Sequence, residues 1–216
     1  MLILALDTAT ESGSLALAEG EKLLVETSLE RAGTYLSRLL PSLVQLFEAA
    51  GRDPAALQAV GVSVGPGNFT GLRIGLATAK TLAWSLSCPL VPVPTLEVLA
   101  AQVPEQNHPI GVVMDAKRGE VFWGLYQGPA ERPQMLAAPI RLPLAGLSRH
   151  LIPPLVLTGS MASSLPSLPR EGVSLAPPES RLPRAATVAR LALSLLSAGQ
   201  TARPEQLTPT YLRPAL

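Results

Sequence analysis

Residues 59–75 read AVGVSVGPGNFTGLRIG: an apolar run, a glycine-rich loop and the first turns of a helical pattern. The run 59–64 predicts a buried strand, and Thr70 is placed to cap a helix that continues to about Ser87. Glycines allow close backbone approach, and a helix N-terminus favours anions. The loop therefore fits a structural turn and an anion site equally well. It lacks the Gly-Lys-Ser/Thr of a P-loop and the glycine spacing of the dinucleotide fingerprint.

The elements on either side of this stretch predict a mixed sheet. Runs over 2–6, 14–18 and 22–28 predict three strands joined by tight turns, which form an antiparallel meander. A helical pattern follows over 34–50, and another strand, over 90–93, comes after the second helix. Strands that follow a helical crossover add in parallel. The order βββαβαβ is that of the ribonuclease-H-like unit, which the actin-like ATPase superfamily uses twice.

The second half of the chain repeats this order less clearly. Its predicted elements are strands at 110–114, 121–126 and 155–157 and a helix at 185–198. Residues 128–184 are rich in proline and weakly periodic. We therefore expect an α/β fold of two actin-like lobes, 1–95 and 96–216, each a mixed sheet with flanking helices and the second reduced. The sequence leaves open whether the last helix packs back on the first lobe.

The first strand ends in a second candidate site, the turn Asp7-Thr8-Ala9-Thr10. Its carboxylate suits a cation, while its hydroxyl and backbone N–H groups suit an anion. An Asx or Ser/Thr turn that caps a hairpin is the alternative. Together with the glycine-rich loop, this turn forms a candidate anion or nucleotide loop. The residues assigned to it are Asp7, Thr8, Thr10, Gly65, Gly67, Asn68 and Thr70.

The two helices of the first lobe carry more apolar and small residues than one buried face needs. The second helix has small residues four apart, which form a flat stripe that another helix can approach closely. The first has two apolar rows, and only one of them can face the sheet. We predict an interface with a partner or a second copy, with packing inside the same lobe as the alternative. The residues assigned to this interface are Tyr35, Leu39, Leu46, Gly71, Gly75, Ala79 and Ala83.

Composition argues against several classes of function. The 216 residues are 47% hydrophobic and 15% charged, with a formal net charge of +1, so the chain lacks the basic excess of an independent nucleic-acid-binding protein. One cysteine and two histidines give no metal-ligand spacing, so we expect no metal and no cofactor. The N-terminal apolar run is too short for a signal peptide, and the run 82–101 is interrupted by prolines. We expect a cytoplasmic protein without a membrane span.

Four segments, in order along the chain, resemble the TsaB family, formerly called YeaZ. They are LALDTAT at 4–10, GPGNFTGLRIG at 65–75, DAKRGEVF at 115–122 and PTYLR at 209–213. Each segment alone is a weak signal, but the combination is specific and spans nearly the whole chain. One departure is Tyr35, which stands where the family often has a histidine.

The resemblance implies a role in tRNA modification without catalysis. The family supports formation of the threonylcarbamoyl group on the adenosine next to the anticodon, in tRNAs that read codons beginning with A. The implied role is a non-catalytic subunit that binds the catalytic TsaD subunit through the first lobe and works with the TsaE ATPase. The resemblance also implies a homodimer when the chain is alone, formed by the same face, and contact with tRNA only through the complex. The alternatives are an actin-like small-molecule kinase or ATPase and, further away, a metallopeptidase.

Overall fold

The computed structural model describes residues 1–29, 35–104, 107–165 and 171–212. The chain forms two compact units. The first contains Met1–Thr95 and Pro183–Thr210, and the second contains Leu96–Leu182 together with Tyr211 and Leu212. Two ends of the predicted segments, Thr34 and Arg213, lie outside the described residues.

The regular elements alternate as the sequence predicts in the first half, with additions in the second. The strands are β1 (Leu2–Asp7), β2 (Gly13–Glu19), β3 (Lys22–Leu29), β4 (Ala59–Ser63), β5 (Leu90–Val93), β6 (Ile110–Asp115), β7 (Glu120–Gln127), β8 (Gln134–Pro143), β9 (Leu155–Thr158) and β10 (Val173–Leu175). The helices are α1 (Tyr35–Ala50), α2 (Phe69–Ser85), α3 (Thr95–Ala101) and α4 (Ala185–Ser197). The sequence patterns did not predict β8, β10 or α3.

The sheet of the first unit has the strand order β3-β2-β1-β4-β5. β1, β2 and β3 are antiparallel neighbours, whereas β4 and β5 run parallel to β1. Hairpins join the first three strands and helical crossovers deliver the other two, as the predicted mixed sheet requires. α1 and α2 pack side by side on one face, over a core that includes Leu4, Leu6, Val60 and Val62.

α4 packs on the opposite face of the same sheet. Its N-terminus has no side-chain cap of its own, so the first N–H groups use side chains of the sheet. The Ala185 N–H donates to Ser14 Oγ at 2.8 Å, and the Ala186 N–H donates to Glu26 Oε1 at 2.9 Å. The last helix therefore lies with the first unit, an arrangement that the predicted division at 96–216 left open.

The sheet of the second unit repeats the order of the first, as β8-β7-β6-β9-β10. β6, β7 and β8 are antiparallel, and β9 and β10 run parallel to β6. Its cover is thinner than that of the first sheet. One core lies under the seven-residue α3, and the other lies under the short 3-10 helix Leu144–Arg149. β8 is an edge strand, and all side chains of 134–138 are exposed.

Candidate functional site

The two loops of the candidate anion site lie against each other at the carboxyl ends of β1 and β4. Asp7 ends β1 and is completely buried. Its Oδ2 accepts a short hydrogen bond from Ser63 Oγ at the end of β4, and its Oδ1 accepts one from the Ala9 N–H at 3.2 Å. Burial raises the pKa of Asp7 to about 7, although these two hydrogen bonds act in the opposite direction. The carboxylate therefore faces protein atoms.

Thr8 occupies the space that two glycines of α2 leave open. Its Oγ1 donates to the Gly71 carbonyl at 2.8 Å. A Cβ at Gly71 would lie 2.1 Å from the Thr8 carbonyl oxygen, and a Cβ at Gly75 would lie 2.1 Å from Thr8 Oγ1. Both distances are far below van der Waals contact. Part of the small-residue stripe on α2 thus receives the loop 7–10 of its own unit.

The N-terminus of α2 is capped from within. Asn68 is the N-cap residue, and its Oδ1 accepts from the Gly71 N–H at 2.8 Å. Thr70, the predicted cap, instead lies exposed in the first turn. The Asn68 N–H donates to the Ala9 carbonyl at 2.7 Å, and a Cβ at Gly67 would lie 2.3 Å from that same oxygen. Two of the N–H groups that an anion would use therefore have partners in the protein.

Gly65 is covered by the C-terminal part of the first unit. Its φ of +107° is one that a side chain rarely adopts. A Cβ there would lie 2.8 Å from the carbonyl oxygen of Thr210. The Thr210 N–H donates to the Val64 carbonyl at 2.7 Å, and the Gly65 N–H donates to Thr95 Oγ1 at 3.1 Å. Segments from three parts of the sequence thus fix this loop.

Tyr35 secures the same loop from α1. The side chain is fully buried, and its hydroxyl donates to the Thr10 carbonyl at 2.8 Å. A Cβ at Gly71 would lie 3.2 Å from the tyrosine ring, so the ring packs against the start of α2 as well. Tyr35 is therefore part of the core and holds loop 7–10.

The residues predicted to form an interface face the core of their own unit, which corrects that assignment. Leu39 and Leu46 are each 2% exposed, and Ala79 and Ala83 are at most 1% exposed. They join Tyr35, Gly71 and Gly75, which are buried too. The spacing indicated rows of buried side chains on the two helices, but these side chains pack against the sheet and the loop 7–10 of their own unit.

Other side chains of α1 and α2 are exposed and apolar. Leu40 and Val44, one turn apart on α1, are 61% and 58% exposed. On α2, Trp84 is 71% exposed, and the Arg73 guanidinium lies 3.8 Å from the centre of the Phe69 ring. These five residues belong to the outer surface of the α1–α2 layer. The sequence prediction did not include them, because it placed other rows of the two helices on the outer face.

The described ranges contain neither a metal-binding cluster nor a membrane-spanning helix. They hold no group of three or more His, Cys, Asp or Glu side chains arranged to bind a metal ion. Within the same ranges, no helix is long and apolar enough to cross a membrane.

The repeated sheet order defines the class of protein. One superposed structure is the activator of 2-hydroxyisocaproyl-CoA dehydratase from Clostridium difficile with bound ADPNP, with a TM-score of 0.55 over 98% of this chain and 100% of that chain. At 10% identity this likeness shows the fold alone. The predicted actin-like ATPase fold, two mixed sheets with flanking helices, is confirmed.

Closer relatives identify the family. The model for TsaD, tRNA N6-adenosine threonylcarbamoyltransferase, matches residues 30–148. The tRNA threonylcarbamoyladenosine biosynthesis protein TsaB of Escherichia coli K12 is 30% identical over 99% of this chain and 95% of its own length. The Bacillus subtilis protein of that name is 38% identical over 59% of this chain and 56% of its own length. YeaZ from Pseudomonas aeruginosa superposes with a TM-score of 0.83 at 28% identity, over 97% of this chain and 99% of that chain. The chain belongs to the TsaB family, within the broader group that the TsaD model describes.

Proposed function

We propose that the chain is a non-catalytic subunit of the machinery that makes threonylcarbamoyladenosine in tRNA, next to the anticodon. In this role it binds and supports a TsaD-type transferase, together with a TsaE-type ATPase. It forms a homodimer when alone, meets tRNA through the complex, and acts in the cytoplasm.

The main support for a non-catalytic role is the close packing of the loop 7–10, which follows β1, against the start of α2. An actin-like ATPase needs room for phosphate at this place. Here Thr8 and Ala9 lie where Gly71, Gly75 and Gly67 have no side chains, and Asp7 is completely buried. A nucleotide would have to separate loops that hydrogen bonds and close packing hold together. Conversion of ATP by the purified chain would contradict this role, and so would threonylcarbamoyl transfer without a partner.

The outer surface of α1 and α2 is the proposed docking face for the TsaD-type subunit. Leu40, Val44 and Trp84 expose apolar area there, which is unfavourable in water at about 25 cal/mol per Å². Between Arg73 and Trp84, the exposed positions of α2 carry the small residues Ala77 and Thr81, so a partner helix can approach closely. A shallow cavity of about 250 Å³ beside Trp84 can take a side chain of the partner.

The docking proposal is tested by mixing the chain with TsaD-type and TsaE-type proteins. Trp84→Glu and Leu40→Glu should each lower the affinity for the TsaD-type subunit at least about tenfold. Each change puts a charge in place of an apolar side chain that the partner would cover. At concentrations where the isolated chain is monomeric, its melting temperature should change little, since both side chains are mostly exposed in the single chain. Ile152→Glu is the matched control, on a residue of the second unit that is 68% exposed.

The same face is proposed for the homodimer, so the TsaD-type subunit should compete with self-association. Ultracentrifugation of the wild-type chain with increasing TsaD-type protein should show dimer converting to heterodimer. An assembly in which the TsaD-type subunit binds an intact homodimer through α1 and α2 would contradict the shared face. Affinity unchanged in both glutamate variants would place the docking surface elsewhere.

A further inference from the structure

The β6–β7 turn of the second unit contains two cationic residues in an uncommon backbone conformation. Lys117 and Arg118 have φ angles of 62° and 56°, and Gly119 follows at 75°. Glycine and asparagine adopt this left-handed region readily, whereas other side chains there are uncommon and cost free energy. Turns of this kind usually carry Asn-Gly. Two cations at these positions therefore call for an explanation beyond the turn itself.

Asp115 fixes this turn and neutralises one of its cations. The Lys117 N–H donates to Asp115 Oδ1 at 2.7 Å, and Lys117 Nζ lies 2.9 Å from Oδ2. Burial alone would raise the pKa of Asp115, but the hydrogen bonds and charge of Lys117 outweigh it and lower that pKa. The carboxylate is thus ionised at neutral pH and pairs with Lys117. Arg118 is exposed beside this ion pair and presents a further cation to solvent.

A second arginine lies at the same end of the sheet, on β8. Arg141 is in register with Phe122 of β7, and its Nε is 3.2 Å from Glu120 Oε1. That distance makes an ion pair, but the geometry is not that of a hydrogen bond. Among the described residues, neither Nε nor Nη1 of Arg141 has a hydrogen-bond partner, although both atoms are buried. Buried donors without an acceptor are costly, and these two atoms are themselves closed to solvent. Because the side chain as a whole is 28% exposed, its positive charge can still attract an anion at the surface.

We propose that this end of the second unit, with Arg118 as its exposed donor and the charge of Arg141 at the same end of the sheet, binds phosphate groups of an RNA backbone. The planar guanidinium fork matches a phosphate group in two parallel hydrogen bonds. Because the net charge of the chain is only +1, such binding must be local and must come from a few placed donors. The choice of RNA, and not of an acidic protein surface, rests on the proposed function, in which the substrate is a tRNA.

The test measures how an unmodified tRNA transcript binds the full chain assembled with TsaD-type and TsaE-type proteins, at several salt concentrations. Arg118→Asn removes the cation and places a residue that tolerates the left-handed region. The tRNA affinity should fall about tenfold at roughly 0.1 M salt, and the slope of log affinity against log salt should become shallower by about 1. The melting temperature of the isolated variant should be unchanged or higher. The tRNA affinity thus falls without a loss of stability, which a purely structural turn would not produce.

Arg149→Asn is the matched control, since it removes the same charge from an exposed residue of the same unit. Its tRNA affinity should stay within about twofold of wild type. Equal losses in both variants would overturn the proposal, because the effect would then be one of net charge. Weaker assembly of Arg118→Asn with the protein subunits, at unchanged tRNA affinity, would also overturn it and assign the turn to a protein partner. If the wild-type chain fails to assemble, the proposed function is wrong instead, and tRNA binding by the isolated wild type and Arg118→Asn then decides on the turn.

Discussion

β1 and β6 occupy the same position in two sheets of the same order, and each ends in an aspartate. Asp7 is completely buried, and burial raises its pKa to about 7 against the effect of its hydrogen bonds. The side chain of Asp115 is 37% exposed, and Lys117 lowers its pKa although burial alone would raise it. The position in the fold is the same, so the cover over the strand end sets the chemistry of each carboxylate.

The cover differs because the neighbouring parallel strands, β4 and β9, lead into helices of different length. After β4, Gly65 turns the chain at a φ of +107° and leads to the 17-residue helix α2, whose glycines accept the loop 7–10. After β9, Gly159 turns it at a similar φ of +105°, but the described residues continue in the three-residue 3-10 helix Ala162–Ser164. Without a long helix packed over it, the β6 end stays open to solvent.

The largest expected effect concerns the pH dependence of stability at Asp7. The folded pKa of about 7 lies above the ordinary value of 3.8, so the folded chain holds this proton more tightly than the unfolded chain does. The contribution of Asp7 to the free energy of unfolding is therefore full below pH 4, is lost as the pH rises to about 7, and then levels off. It amounts to up to about 4 kcal/mol. Asp7→Asn should remove this decline, as measured by chemical denaturation between pH 5 and pH 8.

Asp115→Asn is the control for this measurement, because it removes the carboxylate at the equivalent strand end. It should leave the slope of stability against pH unchanged in that window. Parallel curves for wild type and Asp7→Asn would mean that Asp7 is ionised in the folded chain, and the contrast between the two aspartates would fail.

The next effect in size is steric and concerns the filling of the first loop. Gly71→Ala places a Cβ against the Thr8 backbone carbonyl, which cannot rotate away as a side chain could. The free energy of unfolding should fall by about 2–3 kcal/mol, as for other overpacked sites. Gly146→Ala is the control in the second unit, where the nearest atom to the new Cβ is Leu142 Cδ1 at an ordinary 3.6 Å. It should change stability by less than about 1 kcal/mol, and equal losses in urea denaturation would refute the steric explanation.

The small-residue row of α2 shows how far sequence could lead. The spacing predicted an interface with a partner, with packing inside the lobe as the alternative, and the structure buries all four residues of the row in their own unit: Gly71, Gly75, Ala79 and Ala83. It could not identify the cover, because Thr8 lies more than 60 positions earlier and its approach to Gly71 depends on β1 and β4 being neighbours. A period of 3.6 reports which face of a helix is buried, whereas the identity of the contacting group depends on tertiary structure.

The sequence did not predict β8 because its side chains give little sign of a strand. The sequence marks β7 by its apolar residues over 121–126, and the structure buries that strand on both faces. The first half of β8 is exposed on both faces, and Pro139 in its interior ends the short apolar run 135–138 and argues against a strand. Its pairing with β7 is set by the backbone ladder, which leaves little signal in side-chain types.

The smallest effect concerns Asp115, at the solvent-exposed end of β6. At Asp115 the folded pKa lies below the ordinary value, so its contribution to stability is present above about pH 4 and is lost as the pH falls through the folded pKa. The partners are 64% and 37% exposed, and solvent screens such a pair, so Asp115→Asn should cost less than about 1 kcal/mol at neutral pH. Asparagine keeps an oxygen that can accept from the Lys117 N–H, whereas Asp115→Ala loses that acceptor too and should cost more. Added salt should shrink the difference between wild type and Asp115→Asn in urea denaturation, but not the further loss in Asp115→Ala. A salt-independent loss in Asp115→Asn would mean that this carboxylate, like Asp7, is shielded from solvent, and the contrast between the two strand ends would not hold.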